Sequence, residues 1–254
     1  MELMTTEKLK KERITLITAG CSFSELIIGF PETWPLWVER KYGFSAVHTG
    51  KSCQGNGMIS RTVLHQIHEQ LKTHSPENLL VGIMWSGTSR HEQYVNDKLQ
   101  FRKNIDGWID NPVSFIDNDP GSWVIYNSNW KLPQANIYYR NIFDPIYSQI
   151  QTLEHILRVQ DYLKLHNIKY FMGTYTDQVF DIRHHPSLDW MYDQIDFDKF
   201  LPVEGCWDWV RDNSKLPMPV TSCGDHPTSG QHEEFTTQVI VPFLKEKYNL
   251  DNIR

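Results

Sequence analysis

A serine near the start of the chain and a histidine near its end carry the side chains that acyl transfer requires. Ser22 follows the short apolar run 14–19, and His226 stands directly after Asp225, just before the last apolar periodic segment. A serine hydroxyl becomes a strong nucleophile when a histidine within hydrogen-bond reach accepts its proton, and an acidic group can orient that histidine. These residue types could carry out acyl transfer together if the fold brings them into contact.

Such a reaction also needs donors that stabilise the negative charge of the tetrahedral intermediate. Candidate donors occur in two further loops, one containing Gly55 and Asn56 and the other containing Ser86 and Thr88. If these loops follow parallel strands, they meet Ser22 at one edge of a sheet. The elements of the chain must therefore bring three separate loops together.

The pattern along the chain alternates between strand and helix, as expected of an α/β fold. Predicted strands are 14–19, 44–48, 79–85 and 168–175, and predicted helices are 34–42, 59–71, 146–165 and 229–248. Gly43 should end the first helix, and Pro242 should bend or interrupt the last. We predict one domain, 1–254, built as a three-layer α/β/α sandwich with a mainly parallel, flavodoxin-like sheet. Periodicity is lost at about 90–145 and 177–222, which we predict to be irregular insertions.

The loops resemble, in the same order, the sequence blocks of the SGNH (GDSL-like) hydrolase family. Gly20-Cys-Ser-Phe-Ser24 is similar to the first block, the loop 50–57 to the second, and the His-Pro pair at 226–227 with the following Gly and His to the last. This resemblance implies that Ser22 is the nucleophile and His226 its base. It also implies oxyanion donors at the Ser22 and Gly55 N–H groups, with Gly50 as the alternative glycine.

The third block departs from the family pattern. That block normally ends a strand with Gly-x-Asn-Asp, whose Asn side chain is an oxyanion donor, whereas this chain has Ser86-Gly-Thr88. The hydroxyl of Ser86 or Thr88, or the amide of Asn56, would have to replace that donor.

The acid also departs from the pattern. The resemblance places it three residues before the base, where Cys223 stands, and Asp225 directly precedes His226. Adjacent side chains point apart in an extended chain, so Asp225 orients the imidazole only if the loop turns sharply at Gly224. Otherwise a backbone carbonyl would orient His226, and the site would be a Ser–His dyad.

The substrate is predicted to be a small-molecule or carbohydrate ester, with an O-acetyl group as the first choice by the family resemblance. Trp85 and Arg90 are the candidate substrate contacts, because they follow the third predicted strand and a guanidinium can bind an anionic group. Arg90 and Glu92 could equally form an ion pair at a helix start. The nine tryptophans and eleven tyrosines fit either a sugar-stacking cleft or an insertion packed by its own rings.

Composition excludes several function classes. A net charge of −6 and a pI of about 6.0 argue against nucleic-acid binding. The four cysteines form no CxxC pair, and Cys21 fits a buried thiol better than a nucleophile. We expect no metal, no cofactor, no membrane segment and a cytoplasmic location. Two alternatives remain open: a catalytically silent SGNH-fold binding module, for example in a phage particle or polysaccharide pathway, and an acyltransferase.

Overall fold

The computed structural model describes residues 14–28, 31–96, 122–128, 133–180, 182, 185–218 and 226–250. The strands are β1 (Thr15–Gly20), β2 (Ser45–His48), β3 (Leu79–Trp85), β4 (His91–Val95), β5 (Ser122–Tyr126) and β6 (Lys169–Thr174). The helices are α1 (Trp34–Tyr42), α2 (Asn56–Gln70), α3 (Pro133–Asn141), α4 (Pro145–Leu165), α5 (Pro186–Tyr192), α6 (Cys206–Asn213), α7 (Ser229–Phe235) and α8 (Val241–Tyr248).

Four strands form a parallel sheet in the order β2-β1-β3-β6. Every residue of β1 and β3 is buried, because the connections between parallel strands place helices on both faces of the sheet. The chain leaves β1 for β2 on one side and reaches β3 on the other, so the strand order reverses between β1 and β3. In open α/β sheets, ligands bind outside the carboxyl ends of the strands at such a reversal.

Apolar side chains pack against both faces of the sheet. One core cluster joins the sheet to α2, α4 and α5, through residues such as Ile59, Val63 and Ile156. The other joins the opposite face to α1, α7 and α8, through Trp34, Phe235 and others. The predicted three-layer α/β/α sandwich is therefore confirmed.

Local signals in the sequence set the ends of two helices. Helix α1 ends at Gly43, whose φ of 62° is the left-handed conformation that glycine adopts most easily. The last predicted helix is interrupted as expected: α7 passes into a π-helical turn, Thr236–Ile240, before α8 begins just ahead of Pro242. Among the described helices, none combines the length and apolar character needed to cross a bilayer.

The two predicted irregular insertions contain regular elements, so that part of the prediction is wrong. In the first, β4 pairs antiparallel with β5, and Val124, Tyr126 and Ala135 form a small core with Val95 and Tyr139. The second contains α5 and α6. These strands and helices are too short to show a clear hydrophobic period, and the first group is held largely by contacts between aromatic rings.

Candidate active site

Ser22 and His226 meet at the carboxyl end of β1. The strand ends at Gly20, and a short 3-10 turn, Ser22–Ser24, follows it. The two atoms Ser22 Oγ and His226 Nε2 are 2.7 Å apart, although 204 residues separate them along the chain. Both residues are half-buried. This is the hydrogen bond that a nucleophile and its general base need.

The turn that carries Ser22 is fixed by its neighbours. The Ser24 N–H donates to the Cys21 carbonyl at 2.9 Å, and Trp34 Nε1 donates to Ser24 Oγ at the same distance. Cys21 is fully buried among apolar side chains, in keeping with a packing role. A side chain on Gly50 would overlap the backbone of Ser24, so the second loop passes directly beside the nucleophile turn.

His226 lies just before the N-terminus of α7. The N-terminus of this helix has a capping box, in which Thr228 accepts from the Gln231 N–H and the Gln231 side chain accepts from the Thr228 N–H. This cap fixes where the helix begins, three residues after His226. Asp225, the predicted acid, lies outside the described residues.

The ring of Phe23 connects the base to a residue that sequence reasoning missed. Its centroid is 4.9 Å from that of His226 and 5.3 Å from that of Tyr175. Tyr175 follows β6 directly, and its N–H donates to the Trp85 carbonyl. Burial raises the pKa of Tyr175, so its hydroxyl remains a hydrogen-bond donor at neutral pH. Its position at the end of the predicted strand 168–175 was the available signal.

A second histidine lies behind the same phenylalanine. His232 is almost completely buried, and its ring centroid is 6.2 Å from that of Phe23. Burial, together with the nearby His226, lowers the pKa of His232 to about 3. His232 is therefore a neutral packing residue at physiological pH and does not compete with His226 as a base.

The predicted role of Gly55 as an oxyanion donor is not supported by this geometry. Gly55 precedes α2, and the backbones of Gly55 and Met58 both donate to the carboxylate of Glu92. A side chain on Gly55 would place its Cβ 2.7 Å from Glu92 Oε1. A carboxylate in this place repels an oxyanion. Of the two candidate glycines, Gly50 is the one beside the nucleophile turn.

The predicted donor role of Asn56 meets a similar obstacle. Its Nδ2 donates to the Ser86 carbonyl at 2.9 Å and to Thr152 Oγ1 at 3.1 Å, which uses both of its hydrogens. Its Oδ1 accepts from the Ser86 N–H at 2.7 Å. Asn56 thus holds the loop that follows β3 through these hydrogen bonds. In this structure it positions that loop.

Replacing Asn56 by alanine is expected to lower the free energy of unfolding by about 2 kcal/mol, because two buried backbone groups of Ser86 lose their partner. Chemical denaturation measures this loss, and Ser60→Ala on the same helix, where only one hydrogen bond to Arg158 is lost, serves as the control. A variant of unchanged stability whose kcat falls by about 10²-fold would instead mark Asn56 as an oxyanion donor.

The remaining candidates lie around the end of β3. Ser86 is fully buried, and its hydroxyl has no hydrogen-bond partner among the described residues. Thr88 lies in the wall of a small cavity, and Arg90 donates to the Gln54 carbonyl at 2.8 Å. The prediction that Trp85 contacts substrate is wrong, because its side chain is fully buried in the core and its Nε1 donates to the sulfur of Met172.

Comparison with known proteins gives only distant likeness. No protein-family model matches the sequence, and no curated protein is significantly similar to it. A similar solved structure is that of a member of the lipolytic protein G-D-S-L family from Veillonella parvula DSM 2008, with a TM-score of 0.45 and 9% identity over 93% of this chain and 98% of that one. Another, described as lipolytic and of the G-D-S-L family, is from Desulfitobacterium hafniense DCB-2, with a TM-score of 0.46 and 10% identity over 89% and 97%.

Both structures come from the family that the sequence blocks resemble. Likeness at this level assigns neither an activity nor a residue role to this chain.

Proposed function

We propose that this protein is a serine hydrolase that cleaves carboxylic esters, with Ser22 as the nucleophile and His226 as the general base. The observation that carries the proposal is the 2.7 Å separation of Ser22 Oγ and His226 Nε2. Two features support it. The pair lies where the strand order of the sheet reverses, and the serine stands on a turn held by buried hydrogen bonds.

In the proposed mechanism, His226 Nε2 accepts the proton of the Ser22 hydroxyl as Ser22 Oγ attacks the ester carbonyl. The N–H of Ser22 stabilises the oxyanion, with the N–H of Gly50 as the second donor in place of Gly55. The imidazolium then gives its proton to the departing alcohol, which leaves an acyl-enzyme. Water, deprotonated by His226, releases the acid, and Asp225 orients the imidazole throughout.

We further propose that the acyl group is short, with acetyl as the first choice. The rings of Phe23 and Tyr175 stand beside the base, and Phe23 and Cys21 are buried around the nucleophile. These bulky neighbours favour a small acyl group. The alcohol part of the ester would face solvent, where a carbohydrate can be accommodated.

Labelling with a fluorophosphonate probe tests the proposal directly, because only an activated serine reacts with it. Peptide mass spectrometry is expected to find the adduct on Ser22, and Ser22→Ala should abolish it. His226→Ala should slow labelling strongly, while His68→Ala, an exposed histidine on α2, should label like the natural protein. Folded protein that gives no adduct would contradict the proposal.

A catalytically silent binding module is the second candidate. The observation that favours it is that the Gly55 N–H and the Asn56 amide are both engaged elsewhere, which removes two expected oxyanion donors. The labelling experiment separates the two candidates. An unlabelled Ser22 in a folded protein favours the binding module.

A further inference from the structure

A small polar cavity lies between helices α2 and α4 and the segment that follows β3, and it has charged groups in its walls. Its volume is about 140 Å³. Two guanidinium groups, of Arg61 and Arg90, reach it, together with one carboxylate, of Glu92. The other lining residues are mostly neutral and able to form hydrogen bonds: Asn56, Gly57, Thr88, His91, Ser148, Gln151, Thr152 and His155.

The carboxylate of Glu92 is already satisfied. It forms an ion pair with Arg61 and accepts the N–H of Met58 at 2.7 Å. It therefore balances one of the two arginines and leaves the other uncompensated.

Arg90 is that second arginine, and its donors are largely unused. A guanidinium has five N–H donors. Within the described part of the chain, Arg90 Nη1 donates to the Gln54 carbonyl, and no carboxylate lies within salt-bridge distance of Arg90. Arg61 Nε is also buried without a hydrogen-bond partner among the described residues. The cavity thus offers donors that lack an acceptor.

A third arginine adds to the positive charge behind the cavity wall. Arg158 lies next to His155, with Nη2 donating to Ser60 Oγ at 2.7 Å. Burial and the charges of Arg158 and Arg61 lower the pKa of His155 to about 4. His155 is therefore neutral at physiological pH, and the surplus positive charge remains on the arginines.

Ring contacts link this cavity to the proposed catalytic pair. The guanidinium carbon of Arg90 is 5.9 Å from the centroid of the Tyr175 ring. Tyr175 packs edge-on against Phe23, and Phe23 packs against His226. Three successive ring contacts therefore connect Arg90 with His226.

We propose that this cavity binds a carboxylate or phosphate group of the substrate, with Arg90 as its main ligand, so that the protein prefers esters that carry an anionic group. The role in substrate choice rests on the proposed esterase function, whereas the anion site itself does not. Drug-sized ligands occupy sites of roughly 300–1,000 Å³, so this smaller cavity suits a single charged group.

Three acetyl esters with the same acyl group test the preference. We expect kcat/KM for 4-acetoxybenzoate or 4-acetoxyphenyl phosphate to exceed that for methyl 4-acetoxybenzoate by about tenfold or more, since hydrogen bonds to charged groups contribute that much. The larger of the two ratios identifies carboxylate or phosphate as the preferred group. Arg90→Gln should reduce the ratio to near one, and Arg90→Lys, which keeps the charge, should retain part of it.

The matched control is Arg40→Gln. It removes an exposed arginine of α1 that is paired with Glu32, and it should leave the ratio of the kcat/KM values unchanged. A ratio near one in the natural protein, or one that Arg90→Gln does not alter, would overturn the proposal. If Arg90→Gln fails to fold, the ratio of the kcat/KM values in Arg90→Lys still shows whether the preference for anionic esters depends on Arg90.

Calorimetric titration with inorganic phosphate tests the anion site without any catalysis. Ser22→Ala should bind phosphate as tightly as the natural protein, and Arg90→Gln should bind it about tenfold more weakly. If phosphate binding depends on Arg90 but Ser22 is not labelled by the probe, the anion site is supported and the esterase function is rejected. If Ser22 is labelled but the protein neither binds phosphate nor prefers anionic esters, the anion site is rejected and the esterase function is supported.

Discussion

Replacing His226 by alanine is expected to lower kcat/KM for 4-nitrophenyl acetate by about 10⁴-fold, measured by release of 4-nitrophenol. The reason is that Ser22 Oγ loses the acceptor that lies 2.7 Å away, and the hydroxyl is a weak nucleophile while it keeps its proton. The buried His232 cannot take over, because its pKa of about 3 reflects a site that disfavours the protonated ring.

The same experiment needs two comparisons. His68→Ala should retain full activity, because this exposed residue lies near the end of α2. The double variant lacking both Ser22 and His226 should be no slower than either single variant, since residues that act as one unit lose their effect together. A His226→Ala protein within tenfold of the natural rate would mean that another group is the base.

The meeting of Ser22 and His226 could be predicted because it depends on features that one sequence carries. The apolar runs of β1 and β3 are continuous, which is typical of parallel strands covered on both faces, and helices separate them. Parallel strands bring the loops after their carboxyl ends to one edge of the sheet. The resemblance of these loops, in order, to the SGNH sequence blocks then identified which serine and which histidine to pair.

Trp85 shows where the same reasoning failed. Alternation of apolar and polar residues tells which side chains face solvent, but a strand buried on both faces has no alternation. The sequence therefore could not reveal that Trp85 points into the core, where it contacts Met172.

The predicted oxyanion-donor roles of Gly55 and Asn56 lack support for a different reason. Both predictions rest on the place of the residue in a glycine-containing loop, yet the hydrogen-bond partners come from distant segments: Glu92 for Gly55, and Ser86 and Thr152 for Asn56. No local spacing specifies such partners. The sequence predicts, as one alternative, an ion pair between Arg90 and Glu92 at a helix start. In the structure, Glu92 pairs with Arg61 of α2 instead.

Glu92 is also expected to contribute to the stability of the fold. Replacing it by alanine is expected to lower the free energy of unfolding by about 3 kcal/mol. Its side chain is only 6% exposed, and it accepts hydrogen bonds from Arg61 and from the N–H of Met58 in the first turn of α2. Without it, a guanidinium that is three-quarters buried and a buried N–H lose their partner together, and β4 loses its attachment to α2.

Urea denaturation of three variants tests this estimate. Glu92→Gln should be destabilised less than Glu92→Ala, because the amide oxygen can still accept from Met58. Glu69→Ala removes an exposed carboxylate of α2 that is paired with Lys72, and should leave stability nearly unchanged. Equal losses for Glu92→Ala and Glu69→Ala would show that the buried pair adds nothing beyond a surface one.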